Sequence, residues 1–372
     1  MQIDLSKYNL KDIPFFPNSQ INIWANDPRL NGQLFCEEIV SNEAKKLMSL
    51  IHKGCNVIYV NSTASVLGTG KSALMASVYW KLTNVGTLTV WTEATGGLST
   101  SSTLGRIIDS MAAQEVFEKI KSKIGEITYS NIKGILLKQS YRQVIPGLTE
   151  ALTKILQTTP GETAKKFANI RRSVLIWSAS EVFGYLLALM EACDMKKPII
   201  FLDQFEEFVR SHIGPAQLRR LANDFNDLLR AIQNRATLIV SLHPEAERVL
   251  MGAAGEYIQT IAPINEETMI IVKPLTPDDA VKLTLFYLNH YRMGKGKQEL
   301  YPFSENVLKY ICIKTNGIPR KFITALYDAL ILGALQQWVP IDDKFISDEN
   351  NHKKVLPGVS NDWEKFQKGE LR

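Results

Sequence analysis

Five short runs of this chain are continuously or almost continuously apolar, and they alternate with longer stretches whose apolar residues keep helical spacing. The runs cover residues 56–60, 87–92, 199–202, 237–242 and 269–272. A strand exposed on one face alternates apolar with polar residues, whereas one covered on both faces reads as an unbroken apolar run. The pattern therefore predicts an α/β fold: a five-stranded parallel sheet with helices on both faces. With 372 residues, 45% apolar and 22% charged, the chain has the balance of a soluble globular protein and room for a substantial core.

The first run leads through Asn61, Ser62 and further small polar residues into Gly68-Thr69-Gly70-Lys71-Ser72, and a helical pattern opens at once with Ala73-Leu74-Met75. A loop that wraps a phosphate must turn successive backbone N–H groups inward with no side chain in the way, which gives Gly68 and Gly70 a steric purpose. The helix N-terminus behind the loop adds partial positive charge. Lys71 is placed to reach the β- and γ-phosphates of a nucleotide, and the Ser72 hydroxyl to ligate Mg²⁺, with Gly68, Thr69, Gly70 and Ala73 completing the cradle. The pattern GxxxxGK[ST] asks for glycine at position 65, where this chain has Ser65.

The third run ends Phe201-Leu202-Asp203-Gln204-Phe205-Glu206-Glu207. A carboxylate at the C-terminal end of a central strand is what orients Mg²⁺ or its water beside such a loop, and Asp203 takes that role. Gln204 follows it directly; an amide orients water and accepts no proton. Glu206 and Glu207 are the candidate bases.

About a hundred residues separate the second and third runs, far more than a crossover needs, so an insertion is expected. Helical spacing runs over 101–123, 131–143, 148–157 and 162–195. Within residues 104–172 there are twelve Lys or Arg against six Asp or Glu, so this basic helical insertion carries the net charge while the rest of the chain is close to neutral. That excess suits contact with nucleic-acid phosphates. Its aromatics, Phe117, Tyr129, Tyr141 and Phe167, are too few to argue for base stacking.

Beyond Pro274 the pattern is helical throughout. Thr276-Pro277-Asp278-Asp279 supplies an N-cap, a first-turn proline and first-turn acids, and further helices are expected over 304–314 and 319–338. The domain reading is an N-terminal extension at 1–30, an α/β domain at 31–275, a helical lid domain at 276–339, and a partly disordered Asp-, Asn- and Lys-rich tail at 340–372. The four cysteines lack any paired spacing, and the N-terminus lacks a secretory pattern, which fits a reducing cytoplasm. The apolar stretch 174–190 is interrupted by Ser178, Ser180 and Glu181, so a buried helix is expected there and no membrane association.

Taken together, the loop at 65–72, the Asp203 motif, the strand Thr237-Leu238-Ile239-Val240-Ser241-Leu242-His243 and the element Asn316-Gly317-Ile318-Pro319-Arg320 resemble the AAA+ ATPases of the initiator branch. This branch includes origin-recognition proteins and the ATPase regulators of DNA transposition. The resemblance implies ATP and Mg²⁺ as ligands and ATP hydrolysis, which Gln204, standing where most of the family place a catalytic Glu, would make slow and switch-like. It further implies a homo-oligomer, ring or filament, assembling on double-stranded DNA with a protein partner of a replication or mobile-element complex. It makes Ser241 or His243 a sensor of the γ-phosphate and Arg320 the lid arginine that reaches the phosphates. A neighbouring subunit would donate an arginine finger, with Arg235 and Arg248 as candidates. The Asp-Gln-Phe-Glu-Glu run also looks like the motif of STAND NTPases. That gives the alternative of a nucleotide-switched signalling or defence ATPase acting on a protein.

Overall fold

The computed structural model describes residues 4–17, 20–63, 67–93, 100–139, 145–163, 165, 179–205, 225–226, 228–230, 232–244, 246–247, 252, 262–294 and 300–371. Five strands form one sheet: β1 (Val57–Ser62), β2 (Thr89–Glu93), β3 (Ile199–Asp203), β4 (Thr237–Ser241) and β5 (Met269–Val272), in the order β2-β3-β4-β1-β5. The pairs β1·β4, β2·β3 and β3·β4 are parallel. Every residue of β1, β3 and β4 is buried, which an open sheet face would not allow. The expected runs thus become strands at their expected places, with β1 extended into the polar residues Asn61 and Ser62.

The helices are α1 (Pro28–Asn31), α2 (Ser41–His52), α3 (Lys71–Asn84), α4 (Thr100–Ala113), α5 (Val116–Ile124), α6 (Tyr129–Lys138), α7 (Pro146–Leu156), α8 (Ala179–Ala192), α9 (Pro277–Tyr291), α10 (Glu305–Lys314), α11 (Pro319–Gln336), α12 (Asp343–Ser347), α13 (Glu349–Val355) and α14 (Trp363–Gln367). The long helix expected over 101–123 is broken in two. Glu115 takes a left-handed φ of 62° between α4 and α5, a turn made without glycine or proline and therefore silent in the sequence. Among the described residues no helix is long and apolar enough to cross a membrane, and α8 accounts for the described part of the apolar stretch 174–190.

The chain divides into two compact units. One comprises residues 45–65 and 78–271 and holds the sheet together with the inserted helices. Its core runs from Tyr59, Val90, Ile200 and Val240 of the strands to Ile108, Phe117, Leu152 and Phe183 of α4, α5, α7 and α8. A ring cluster fixes the β2 side: Tyr79 lies edge-on to Trp91 and Phe201, which stack on each other at 5.8 Å.

The second unit comprises residues 1–44, 66–77 and 272–372. Its helices begin as their sequences require. Thr276 and Asp279 form a reciprocal capping box at α9 with Pro277 in the first turn, and Ser304 accepts from the Val307 amide at α10. The N-terminal segment packs into the same core: Leu5, Tyr8, Leu10 and Phe15 join Phe322, Leu326 and Leu330. Tyr8 donates to the Trp338 carbonyl at 2.8 Å, an approach that depends on Gly333, where an added Cβ would lie 2.5 Å from the tyrosine hydroxyl.

Residues 340–372 are not the disordered tail that their composition suggests. They fold as α12, α13 and α14, burying Phe345, Ile346, Val355, Leu356 and Trp363. A few well-spaced apolar anchors outweigh a polar average, because burial acts residue by residue. The Tyr310 hydroxyl is the hub. It lies 3.0 Å from His352 Nε2 and accepts from the Asp362 amide at 3.1 Å, while its ring meets Trp363 edge-on. Lys314 pairs with Asp362.

Burial lowers the His352 pKa below the usual histidine range, and the hydrogen bond from Lys314 holds Asp362 below the usual carboxylate range. The unfolded chain therefore takes up a proton at His352, below about pH 6.5, before the folded chain does. The stability that this neutral imidazole supports is complete above that pH and is lost as pH falls through it. Asp362 acts later, below about pH 4. The urea midpoint should drop between about pH 7.5 and about pH 5.5, and His352→Gln should flatten that drop; an equal drop in the variant would remove His352 as its source.

Candidate active site

The phosphate loop is built by backbone conformations that its residue types permit. Gly68 and Gly70 have φ of 85° and 94°, the left-handed region in which a Cβ is strained. Helix α3 begins at Lys71, and the Leu74 amide closes the first turn on the Gly70 carbonyl at 3.0 Å. Ser72 and Ala73 therefore stand among the first-turn amides that have no intrahelical acceptor. Lys71 is buried, 5% exposed, with Nζ 3.4 Å from Thr69 Oγ1. A buried ammonium at the positive end of a helix opposes the helix dipole, and an anion at the same place reverses that penalty. The cradle suits a phosphate chain.

Arg320 reaches this loop from a distant part of the sequence. It is the second residue of α11, and its amide donates to the Gly68 carbonyl at 3.2 Å. A Cβ on Gly68 would lie 2.5 Å from the Arg320 Cβ, so the glycine is needed for this close approach as well as for its φ. The arginine expected at the phosphates is thus tied to the loop through its main chain.

In the unit that holds the sheet, polar residues gather at the C-terminal ends of the strands. Asp203, 1% exposed, closes β3, and the parallel register sets Glu93 of β2 directly beside it. Gln204 then turns with a φ of 57°, and its amide donates to the Ser241 hydroxyl oxygen at 3.0 Å. Ser241, fully buried at the end of β4, therefore braces the turn after Asp203, and buried His243 follows two residues on. Asn61, at the end of β1, donates to Glu247 at 2.6 Å. Glu206, Glu207, Ser65 and Arg248 lie outside the described residues.

Glu93, Asn61 and Glu247 are polar groups at this end of the sheet that the sequence reading passed over. Two of them carried a signal. Asn61 and Glu93 are the first strongly polar residues after their apolar runs, the same position that Asp203 holds after its own. Arg235 stands at the opposite end of β4 from Ser241, just ahead of the strand, and is ion-paired to Glu191 at 2.8 Å.

Among the described residues no group of three or more His, Cys, Asp or Glu gathers to hold a metal by itself. Magnesium asks for less, since one or two carboxylates and phosphate oxygens suffice. The buried Asp203 carboxylate and the Ser72 hydroxyl are oxygen donors of the right kind.

No family model matches the sequence, and no curated protein matches it. Solved structures do. The ORC2 protein of Aeropyrum pernix, in its ADPNP and ADP complexes, is 12% identical and has a TM-score of 0.49, with 95% of this chain and 73% of that one covered. Cdc6p of Pyrobaculum aerophilum is 14% identical with a TM-score of 0.49, covering 96% and 73%. A Walker-type ATPase of Pyrococcus abyssi is 15% identical with a TM-score of 0.43, covering 85% and 75%.

The contact at Gly68 sets a test. Gly68→Ala places a Cβ at a left-handed φ and against Arg320, and should lower stability by about 1–3 kcal/mol while weakening nucleotide binding. Thermal melts and calorimetric titration with ATP read both effects; a variant unchanged in each would show that the loop does not need the close approach.

Proposed function

We propose that the chain binds and hydrolyses ATP with Mg²⁺ in the manner of AAA+ proteins. The ATP state drives assembly of a homo-oligomer, ring or filament, on double-stranded DNA, in replication, transposition or another mobile-element process. The supporting observation is the phosphate cradle: left-handed Gly68 and Gly70, buried Lys71 at a helix start, and Arg320 bonded to the loop.

In this reading the amides of Gly68, Thr69, Gly70, Lys71, Ser72 and Ala73 and the Lys71 ammonium bind the phosphates, and Ser72 and Asp203 hold the metal. Bound magnesium supplies charge neutralisation at the β- and γ-phosphate oxygens. Glu206 or Glu207 orients the attacking water and takes its proton. Gln204 fixes where that segment starts, because its left-handed backbone is held by Ser241.

Ser241 links the end of β4 to the Asp203 turn, which suits a sensor that responds when the metal and γ-phosphate change. Arg320 responds from its own side: with its amide on the Gly68 carbonyl, a shift of the loop is a shift of α11. Such a link gives the nucleotide differential affinity for two arrangements of the helical region, which any ATP-driven switch requires. Free thiols at Cys36, Cys55, Cys193 and Cys312 support a reducing, cytoplasmic setting. A protein of a replication or mobile-element complex completes the proposed set of partners.

Lys71→Ala removes the cation that compensates phosphate charge, so turnover should fall roughly 10²–10³-fold and the calorimetric ATP signal should vanish. Wild-type turnover in that variant ends the reading. Glu206→Gln and Glu207→Gln should separate: the water-positioning residue loses hydrolysis and keeps ATP binding, and its neighbour keeps both. Full turnover in each variant assigns the water to another group.

A further inference from the structure

The end of the sheet opposite Asp203 carries charge of the other sign. Neighbouring strands β2, β3 and β4 begin there, and the residues just ahead of them line two cavities of about 350 and 370 Å³. Gly86 and Leu88 lead into β2, Lys196 to Pro198 into β3, and Arg235 into β4. Asp194, Met195 and Lys196 line both cavities, which therefore lie side by side and together make up the trough along these strand starts. Lys119 and Lys123, four residues apart on α5 and so on one face of it, line the near wall.

The charges do not cancel. Lys119, Lys123, Lys196, Lys197 and Arg235 line the trough against two carboxylates, Glu191 and Asp194. Glu191 is spent on Arg235 at 2.8 Å. The four lysines are exposed, and among the described residues none of their ammonium groups has an ion pair or hydrogen bond. Burial of Cys193 at the trough floor raises its thiol pKa, and only the nearness of Lys123 pulls it down, so the floor stays uncharged.

Three adjacent strands span about 10 Å, which is longer than one phosphate group and suits successive phosphates of a polymer. Among the described residues no aromatic ring lines the trough for a base to stack on, and lysine is a point charge without the fork that reads base edges. We propose that this trough is the docking surface for the duplex DNA backbone, gripping phosphates without reading sequence. The proposal rests on the reading that the chain acts on DNA. It places the polymer at the strand ends away from Asp203, so that DNA does not compete for that end of the sheet.

The test uses the full chain and a fluorescein-labelled duplex of mixed sequence, read by anisotropy from about 50 to about 200 mM salt, with ATP turnover and melting followed in parallel. Replacing all four lysines, Lys119→Gln, Lys123→Gln, Lys196→Gln and Lys197→Gln, should weaken binding at least roughly tenfold and lower the slope of log affinity against log salt by about 3 to 4. Turnover should be unchanged. A control with Lys344, Lys353, Lys354 and Lys368 changed to Gln alters net charge equally and should leave the slope in place. If the first variant does not melt cooperatively, Lys196→Gln with Lys197→Gln carries the same test with a slope change of about 2.

Wild-type affinity and slope in the trough variant would sink the proposal and leave the DNA reading standing. An unaltered chain that turns over ATP and binds no duplex at about 50 mM salt would sink both. Saturable binding of inorganic phosphate, lost in the variant while DNA affinity persists, would overturn it in favour of a small phosphorylated ligand.

Discussion

Covering a parallel sheet on both faces leaves its strand ends as the places where polar groups can collect. Here β1, β3 and β4 are buried at every residue, and an unpaired polar group inside such strands would cost a few kcal/mol. Polar chemistry is therefore pushed to the two rims. The parallel arrangement then makes the rims unlike, because all C-termini share one and all N-termini the other.

On the C-terminal rim stand Asn61, Glu93, Asp203 and Ser241, each the last residue or nearly the last of its strand. Two of them hold neighbouring segments in place: Ser241 accepts from the Gln204 amide and Asn61 donates to Glu247. A left-handed Gln204 is strained backbone, and the buried Ser241 hydroxyl is what keeps it in place. The N-terminal rim collects lysines instead. One sheet thus offers an oxygen-rich end suited to a hard cation and a basic end suited to an extended polyanion.

The second unit follows a different logic, in which short anchors decide what joins the core. The ends of the chain looked peripheral in the sequence, yet Tyr8 and Phe15 from one end and Phe345 and Trp363 from the other are all buried in it. Composition misled because it averages. The cap residues, by contrast, were legible: Thr276 with Asp279, and Ser304, make their hydrogen bonds within three residues, so local sequence is enough to define them. Glu115 shows the reverse, a left-handed turn with no residue type to announce it.

The sequence by itself determined the five strands, the glycine cradle and the acid at 203, because each depends on residues adjacent in the chain and on nothing further away. Tertiary structure decided the strand order that sets β4 between β1 and β3 and brings Glu93 beside Asp203. It also decided the meeting of Arg320 with Gly68, and of Lys119 and Lys123 with Lys196. These contacts join segments tens to hundreds of residues apart. Their free energy comes from packing and hydrogen bonding that exist only once the chain has closed, so no local pattern encodes them.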